Sequence, residues 1–239
     1  FLDAQMEKMN DGVLVIVGDV DEEYLKQQLL AYVGNFRTKD APARKTTVRY
    51  QPVSGWTTYT VKGWDDAVDV ALSARMPLTF NNYLAACIAV MAIERDLTET
   101  LARAGMSFEV LFNCRIYPEE RMNMIVSVYG ADAEGFASGM TGKSAIDALA
   151  PVREALSGLA SKEITDDQLK QYKAFLKNQL SVEMNDPQYW VDAIVVRYLD
   201  GKDLTTGYAA NIDALSKDDV KRVLALIDRG CKVEYVTEN

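Results

Sequence analysis

Hydrophobic and polar positions along this chain follow two rhythms, strict alternation and a helical repeat, and the places where one gives way to the other mark out its elements. Val13 to Val17 is an apolar, β-branched run with the pattern of a strand covered on both faces. Gly18 supplies a corner, Asp19 or Asp21 can cap the next helix, and Glu22 and Glu23 suit its positive N-terminal end. Tyr24, Leu25, Gln28, Leu29 and Tyr32 then keep helical spacing until Gly34. Thr38 to Arg44 is a polar connector, and the strand-like runs Thr46 to Gln51 and Thr57 to Lys62 predict a hairpin around Pro52 to Trp56. Val68 to Met76 alternates and stops at Pro77, which has no N–H for a ladder.

A long helix is predicted from Asn82 to Ala104, ended by Gly105, with Leu84, Cys87, Ile88, Met91, Leu97 and Leu101 on its apolar side. Met106 to Arg115 and Met122 to Tyr129 read as an antiparallel hairpin turning at Tyr117 to Glu120. Helical spacing follows over Ala145 to Leu159. Thr165 with Gln168 reads as a capping box for a helix continuing through Leu169 to Val182. Asp186-Pro187 opens a helix to Leu199, with Asn185 as its expected cap and Tyr189 and Trp190 anchoring it on the sheet. Ser216 caps a last helix that ends at Gly230, ahead of the strand Cys231 to Val236. Strands alternating with helices, plus an antiparallel hairpin, predict an α+β fold: a two-layer sandwich of a mostly antiparallel sheet with helices on one face.

Composition narrows the function classes. At 239 residues and 49% hydrophobic the chain can bury a sizeable core, and residues 1–239 are read as one domain, a segment of a longer polypeptide because it opens on Phe1. The net charge of −9 excludes nucleic acid as a partner, since phosphate neutralisation needs clustered Lys and Arg. No apolar run is long enough to span a membrane. Cys87, Cys114 and Cys231 are far apart in apolar surroundings and read as buried thiols. With no histidine and no C-x-x-C spacing, no cofactor or metal is expected in this chain. Ser73, Ser107 and Ser127 have no histidine to activate them. Asp65-Asp66, Asp166-Asp167 and Asp218-Asp219 lie at turns or helix starts, where carboxylates complement the dipole.

The run DGVLVIVGDVDEEYLKQQLLAYVGNF, followed in order by VDVALSARMP, DLTETLARAGMSFEV and NDPQYWVDAIVVRYLDGKDL, resembles the C-terminal, noncatalytic-type domain of insulinase/pitrilysin-like zinc metallopeptidases. The resemblance covers almost the whole chain and implies the same two-layer fold. It further implies that zinc is bound by an H-x-x-E-H helix in the catalytic half of the parent protein, while this half shapes a peptide chamber and positions substrate, often as an added strand. The implied partners are that catalytic half, or a homologous subunit, and a peptide substrate.

In such noncatalytic halves an arginine and a later tyrosine reach toward the metal and hold the substrate carbonyl. The tyrosine position falls on Phe108, and the arginine position on Leu101 by direct spacing or on Ala102 if the helix register is kept. Arg103 is a neighbouring substitute, more simply read as a helix C-terminal cation. Phenylalanine fills the volume of tyrosine but donates no hydrogen bond. The departure favours a second reading, a zinc-free structural or partner subunit like the noncatalytic member of a processing-peptidase pair.

Overall fold

Alternation in the strands decides which side of the sheet is covered. The structure is a computed structural model and describes residues 13–34, 55–62, 67–116, 118–130 and 145–238. In chain order its elements are helix α1 (Glu22–Gln28), extended by a π-turn over Leu29–Val33, then strands β1 (Trp56–Lys62) and β2 (Ala67–Arg75), and helix α2 (Phe80–Ala104). The hairpin β3 (Met106–Arg115) and β4 (Arg121–Gly130) follows, then α3 (Leu149–Ala155), α4 (Asp166–Glu183), α5 (Pro187–Asp200), α6 (Tyr208–Ala214), α7 (Lys217–Arg229) and β5 (Cys231–Glu238).

The sheet runs β1-β5-β2-β4-β3. β1 pairs with β5 in parallel, and the other neighbours are antiparallel. Val68, Val70, Leu72 and Ala74 of β2, Met122, Met124, Val126 and Val128 of β4, and Val236 of β5 are all buried on one face. The opposite face carries polar ladders instead: Ser127 Oγ donates to Asp69 at 2.5 Å, Ser73 Oγ to Asn123 at 2.6 Å, and Asn123 Nδ2 to Asn113 at 3.1 Å.

Helices cover the apolar face. Thr79 caps α2 by accepting from the Asn82 N–H at 3.2 Å, and Gly105 ends it in the left-handed region at φ +66°, where a side chain would be strained. Leu84, Ile88, Ile93, Leu97 and Leu101 of α2 pack with Val220, Val223, Leu224 and Ile227 of α7 in one core. Each such aliphatic side chain contributes about 1.5–3 kcal/mol on burial. Both α4 and α7 begin with a capping box, Thr165 with Gln168 and Ser216 with Asp219. Gly230 joins α7 to β5, and a Cβ there would sit 2.6 Å from the Ser73 carbonyl oxygen.

Several expectations need correction. Residues 13–17 form no strand and are largely exposed, because no neighbouring strand among the described residues lies against them; α1, capped by Asp21, likewise buries no residue. Thr57 to Lys62 is strand, as β1, but it pairs in parallel with the C-terminal strand. Its expected hairpin partner, Thr46 to Gln51, lies outside the described residues, as do the connector Thr38 to Arg44 and the pair Asp65-Asp66. The helix expected over Ala145 to Leu159 is broken: a 3-10 turn at Ala145–Ala148, α3, and a second 3-10 turn at Leu159–Ser161 after left-handed Gly158. The cap of α5 is Asp186, which accepts from the Gln188 N–H at 2.9 Å, whereas Asn185 donates to the Ser181 carbonyl. The short helix α6 was not anticipated, since Tyr208 to Ala214 follows a glycine and spans barely two turns.

Candidate functional site

Helix α5 buries none of its residues, yet Tyr189 reaches down to pack against the core. The helix stands over the end of β3 and leaves a cleft beneath it. One cavity of about 280 Å³ lies there, lined by Leu78, Tyr83, Phe112, Cys114, Glu183 and Tyr189, and extended along α5 by Asp192 and Val196. A second, of about 470 Å³, lies between α2, β3 and α4 and shares Tyr83, Phe112 and Glu183 with the first, reaching Cys87, Glu94 and Phe175 beyond them. Residues from four elements thus meet at Glu183, the last residue of α4.

Helix and strand periods explain the gathering. Tyr83 and Cys87 are one turn apart on α2, and Gln179 and Glu183 one turn apart on α4, with Gln179 Nε2 donating to Glu183 Oε1 at 2.9 Å. Phe112 and Cys114 alternate onto the helix-facing side of β3. Burial first, then the neighbouring Cys114, pushes the Cys87 thiol up to about 12, and burial pushes Cys114 up to about 12. Tyr83 is raised by the adjoining Cys87 and by burial, and Tyr189 by burial and then by the Glu183 carboxylate. Burial also raises Glu94.

These residues do not fit zinc. Zinc takes three or four thiolate, imidazole or carboxylate ligands, whereas the chain has no histidine and no three Cys, Asp or Glu side chains gather among the described residues. Cys231 lies on β5, its sulfur donating to the Ser73 carbonyl at 3.5 Å. All three thiols are half-buried rather than fully enclosed.

The positions carried over from the resemblance do not come together on one surface. Leu101 is 0% exposed and belongs to the core, so of the two registers only Ala102 presents a side chain to solvent. Arg103 is exposed and pairs with Glu99 on its own helix. Phe108 lies opposite Val128 on the helix-facing side of β3 and packs half-buried against the core, while Ser107 and Glu109 occupy the outer face. Ser73 and Ser127 are absorbed in the polar ladders. The cleft itself was missed from sequence. Its residues come from distant segments, and only the one-turn pairs on α2 and α4 hinted at it.

β3 is the last strand on its side of the sheet among the described residues, which leaves it as the edge an added strand would meet. At the outer surface, Trp190, Ile194 and Tyr198 form an exposed apolar stripe one turn apart along α5.

No family model and no curated protein matches the sequence. Solved structures do match the fold. The periplasmic protease PqqL from Escherichia coli aligns over 92% of this chain and 24% of its own, at 15% identity and a TM-score of 0.63. A predicted insulinase-family protease from Yersinia pestis aligns over 93% of this chain and 50% of its own, at 14% identity and a TM-score of 0.62. A protein from Bordetella pertussis assigned as a zinc protease aligns over 71% of this chain and 93% of its own, at 14% identity and a TM-score of 0.52. This chain therefore has the fold of insulinase-family protease structures, and spans a quarter of PqqL and half of the Yersinia pestis protein.

Proposed function

We propose that this chain is a noncatalytic C-terminal-half domain of an insulinase/pitrilysin-like zinc metalloendopeptidase. It shapes the peptide chamber while zinc is bound by another part of the parent protein. One combination carries the assignment: the fold of insulinase-family proteases on a chain that has no histidine. In this role the chain acts through surface. The edge of β3 offers backbone groups to an extended peptide, and the cleft beside it takes side chains.

Exposed apolar residues support a polypeptide partner. The stripe Trp190, Ile194 and Tyr198, and Tyr24, Leu30 and Tyr32 near α1, are large side chains facing solvent, and a catalytic half would cover such a surface. The absence of arginine at Leu101 and Ala102 and of tyrosine at Phe108 favours a second reading, a zinc-free partner subunit of the same fold. An H-x-x-E-H motif upstream in the same gene supports the first; a neighbouring gene that encodes it supports the second.

Recombination of separately expressed halves tests the assignment, with a fluorogenic peptide as substrate. This chain alone is expected to hydrolyse nothing, and its addition to the zinc-bearing half to raise turnover. Activity from this chain alone refutes the noncatalytic role, and an unchanged rate on mixing removes it from the chamber.

A further inference from the structure

The chemistry of the cleft is one-sided. Its walls are aromatic and aliphatic, its charged residues are Glu183, Asp192 and Glu94, and among the described residues neither cavity is lined by a lysine or arginine. Among the described residues none of those carboxylates forms an ion pair: Glu183 accepts from Gln179 at 2.9 Å and Asp192 from Gln188 at 3.0 Å. Of the cations nearby, Lys202 is engaged with Glu120 at 2.6 Å and Arg197 with Asp203 at 3.3 Å, while Arg115 is exposed on the outer-face alternation of β3. A volume of about 280 Å³ lies at the lower limit for a small-molecule pocket and suits a single long side chain.

We propose that this cleft is a subsite for a lysine or arginine side chain of a bound polypeptide, an assignment that rests on the peptide-binding function proposed above. The aliphatic stem lies along Phe112, Ile116, Val196 and Leu204, and the cationic head reaches Glu183 and Asp192 beside the rings of Tyr83 and Tyr189. Each part has a physical role. The methylenes bury apolar surface, the rings offer their negative faces, and the carboxylates, Glu183 half-buried and Asp192 exposed at the mouth, supply charge-assisted acceptors. A carboxylate side chain is repelled by the same groups, so the subsite discriminates by sign as well as by length.

The test is a titration of the chain with N-acetyl-arginine amide and with its uncharged near-isostere N-acetyl-citrulline amide, followed by NMR at the methyl groups of Ile116, Val196 and Leu204. The arginine probe is expected to bind roughly fivefold to tenfold more tightly, consistent with an ion pair plus a cation–aromatic contact. In Glu183→Gln that preference should fall to within about twofold, with Asp192→Asn between the two, while Asp167→Asn, an equal change of net charge at the far end of α4, leaves it intact. Equal affinity for the two probes, shifts confined to other methyl groups, or a preference that survives in both Glu183→Gln and Asp192→Asn overturns the proposal. Its failure is separable from that of the function. An extended peptide that shifts β3 without arginine preference removes the subsite alone. An arginine preference without any binding of extended peptides removes the peptide-binding function and leaves the cation site.

Discussion

Arg153 on α3 and Glu234 on β5 meet as a two-pronged ion pair: Nε donates to Oε1 at 2.6 Å and Nη2 to Oε2 at 2.5 Å. The Thr58 hydroxyl on β1 donates to the same Oε2 at 2.5 Å, and the guanidinium stands 5.7 Å over the Trp56 ring. Glu234 is fully buried, on the face where its neighbours in β2 and β4 are apolar. One charged pair therefore ties the parallel edge of the sheet to the helical layer.

Removing the cation strands the carboxylate. Arg153→Met is expected to cost about 2–3 kcal/mol by urea denaturation, at the lower end for a buried pair because the arginine side chain is 47% exposed. Glu234→Gln should cost less. Burial pushes the Glu234 carboxyl up, but Arg153 and Thr58 together pull it further down, so its folded value lies below the unfolded one. Such a group binds fewer protons when folded. Its contribution is complete above about pH 5 and is lost as pH falls through the folded value. Urea midpoints between pH 3 and pH 6, at roughly the ordinary carboxyl range, should fall more steeply for the wild type than for Glu234→Gln.

Cys87 and Cys114 should be slow to alkylate. With both thiols near 12, the thiolate fraction at neutral pH is lower than for a free cysteine by a hundredfold or more, and the reaction rate falls with it. Mass spectrometry after brief iodoacetamide treatment should find both unmodified in the folded chain and both modified in urea. Rapid labelling of Cys87 in the folded state would contradict the raised thiol pKa.

The two registers for the family arginine make opposite predictions. Ala102→Arg adds a cation to an exposed helix end and should change stability by less than about 0.5 kcal/mol. Leu101→Arg forces a charge into the core and should leave little folded protein. Phe108→Tyr adds one hydroxyl at a half-buried ring and should stay within about 1 kcal/mol. Circular dichroism melts of the three variants separate these outcomes. The Ala102→Arg, Phe108→Tyr double variant is then fit for peptidase assays with the other half.

Where side-chain period and burial coincide, the sequence was readable. The β3–β4 hairpin, the long helix α2, the capping box at Thr165 and the Ser216 cap rest on local chemistry, and they stand where the pattern put them. Pairing across distance was not readable. Nothing within Thr57 to Lys62 says that its neighbour is Cys231 to Val236, in parallel. Residues 13–17 have the composition of a buried strand, but burial requires a partner surface that the described residues do not supply. The cleft escaped for the same reason, because Glu183 and Tyr83 become neighbours only once α4 has folded over α2.

Gly230 should be the least replaceable of the two glycines that shape turns. A Cβ at Gly105 meets open space and costs only the left-handed strain, about 1 kcal/mol. At Gly230 it would press on backbone, 2.6 Å from the Ser73 oxygen and 3.1 Å from that of Ile227. Gly230→Ala is therefore expected to cost at least about 2 kcal/mol, with α7 or β5 displaced. A smaller loss than in Gly105→Ala would contradict this close approach.

Zinc content is expected to be far below one ion per chain after dialysis without chelator, since imidazole is lacking and no cluster of three possible ligands forms among the described residues. Elemental analysis decides it. A tightly held, stoichiometric ion would refute the noncatalytic assignment.

β5 lies between β1 and β2, so the strand from the far end of the described chain occupies an interior place in the sheet. During synthesis on a ribosome, β2, β4 and β3 can pair as soon as they emerge, but among the described strands β1 has no neighbour until Cys231–Glu238 leaves the exit tunnel. Until then the nascent chain presents an open edge at β2, the kind of surface that recruits chaperones or another copy of itself. A chain stopped just before Cys231 would be held in that state permanently, and quality control would meet it as an unfinished sheet.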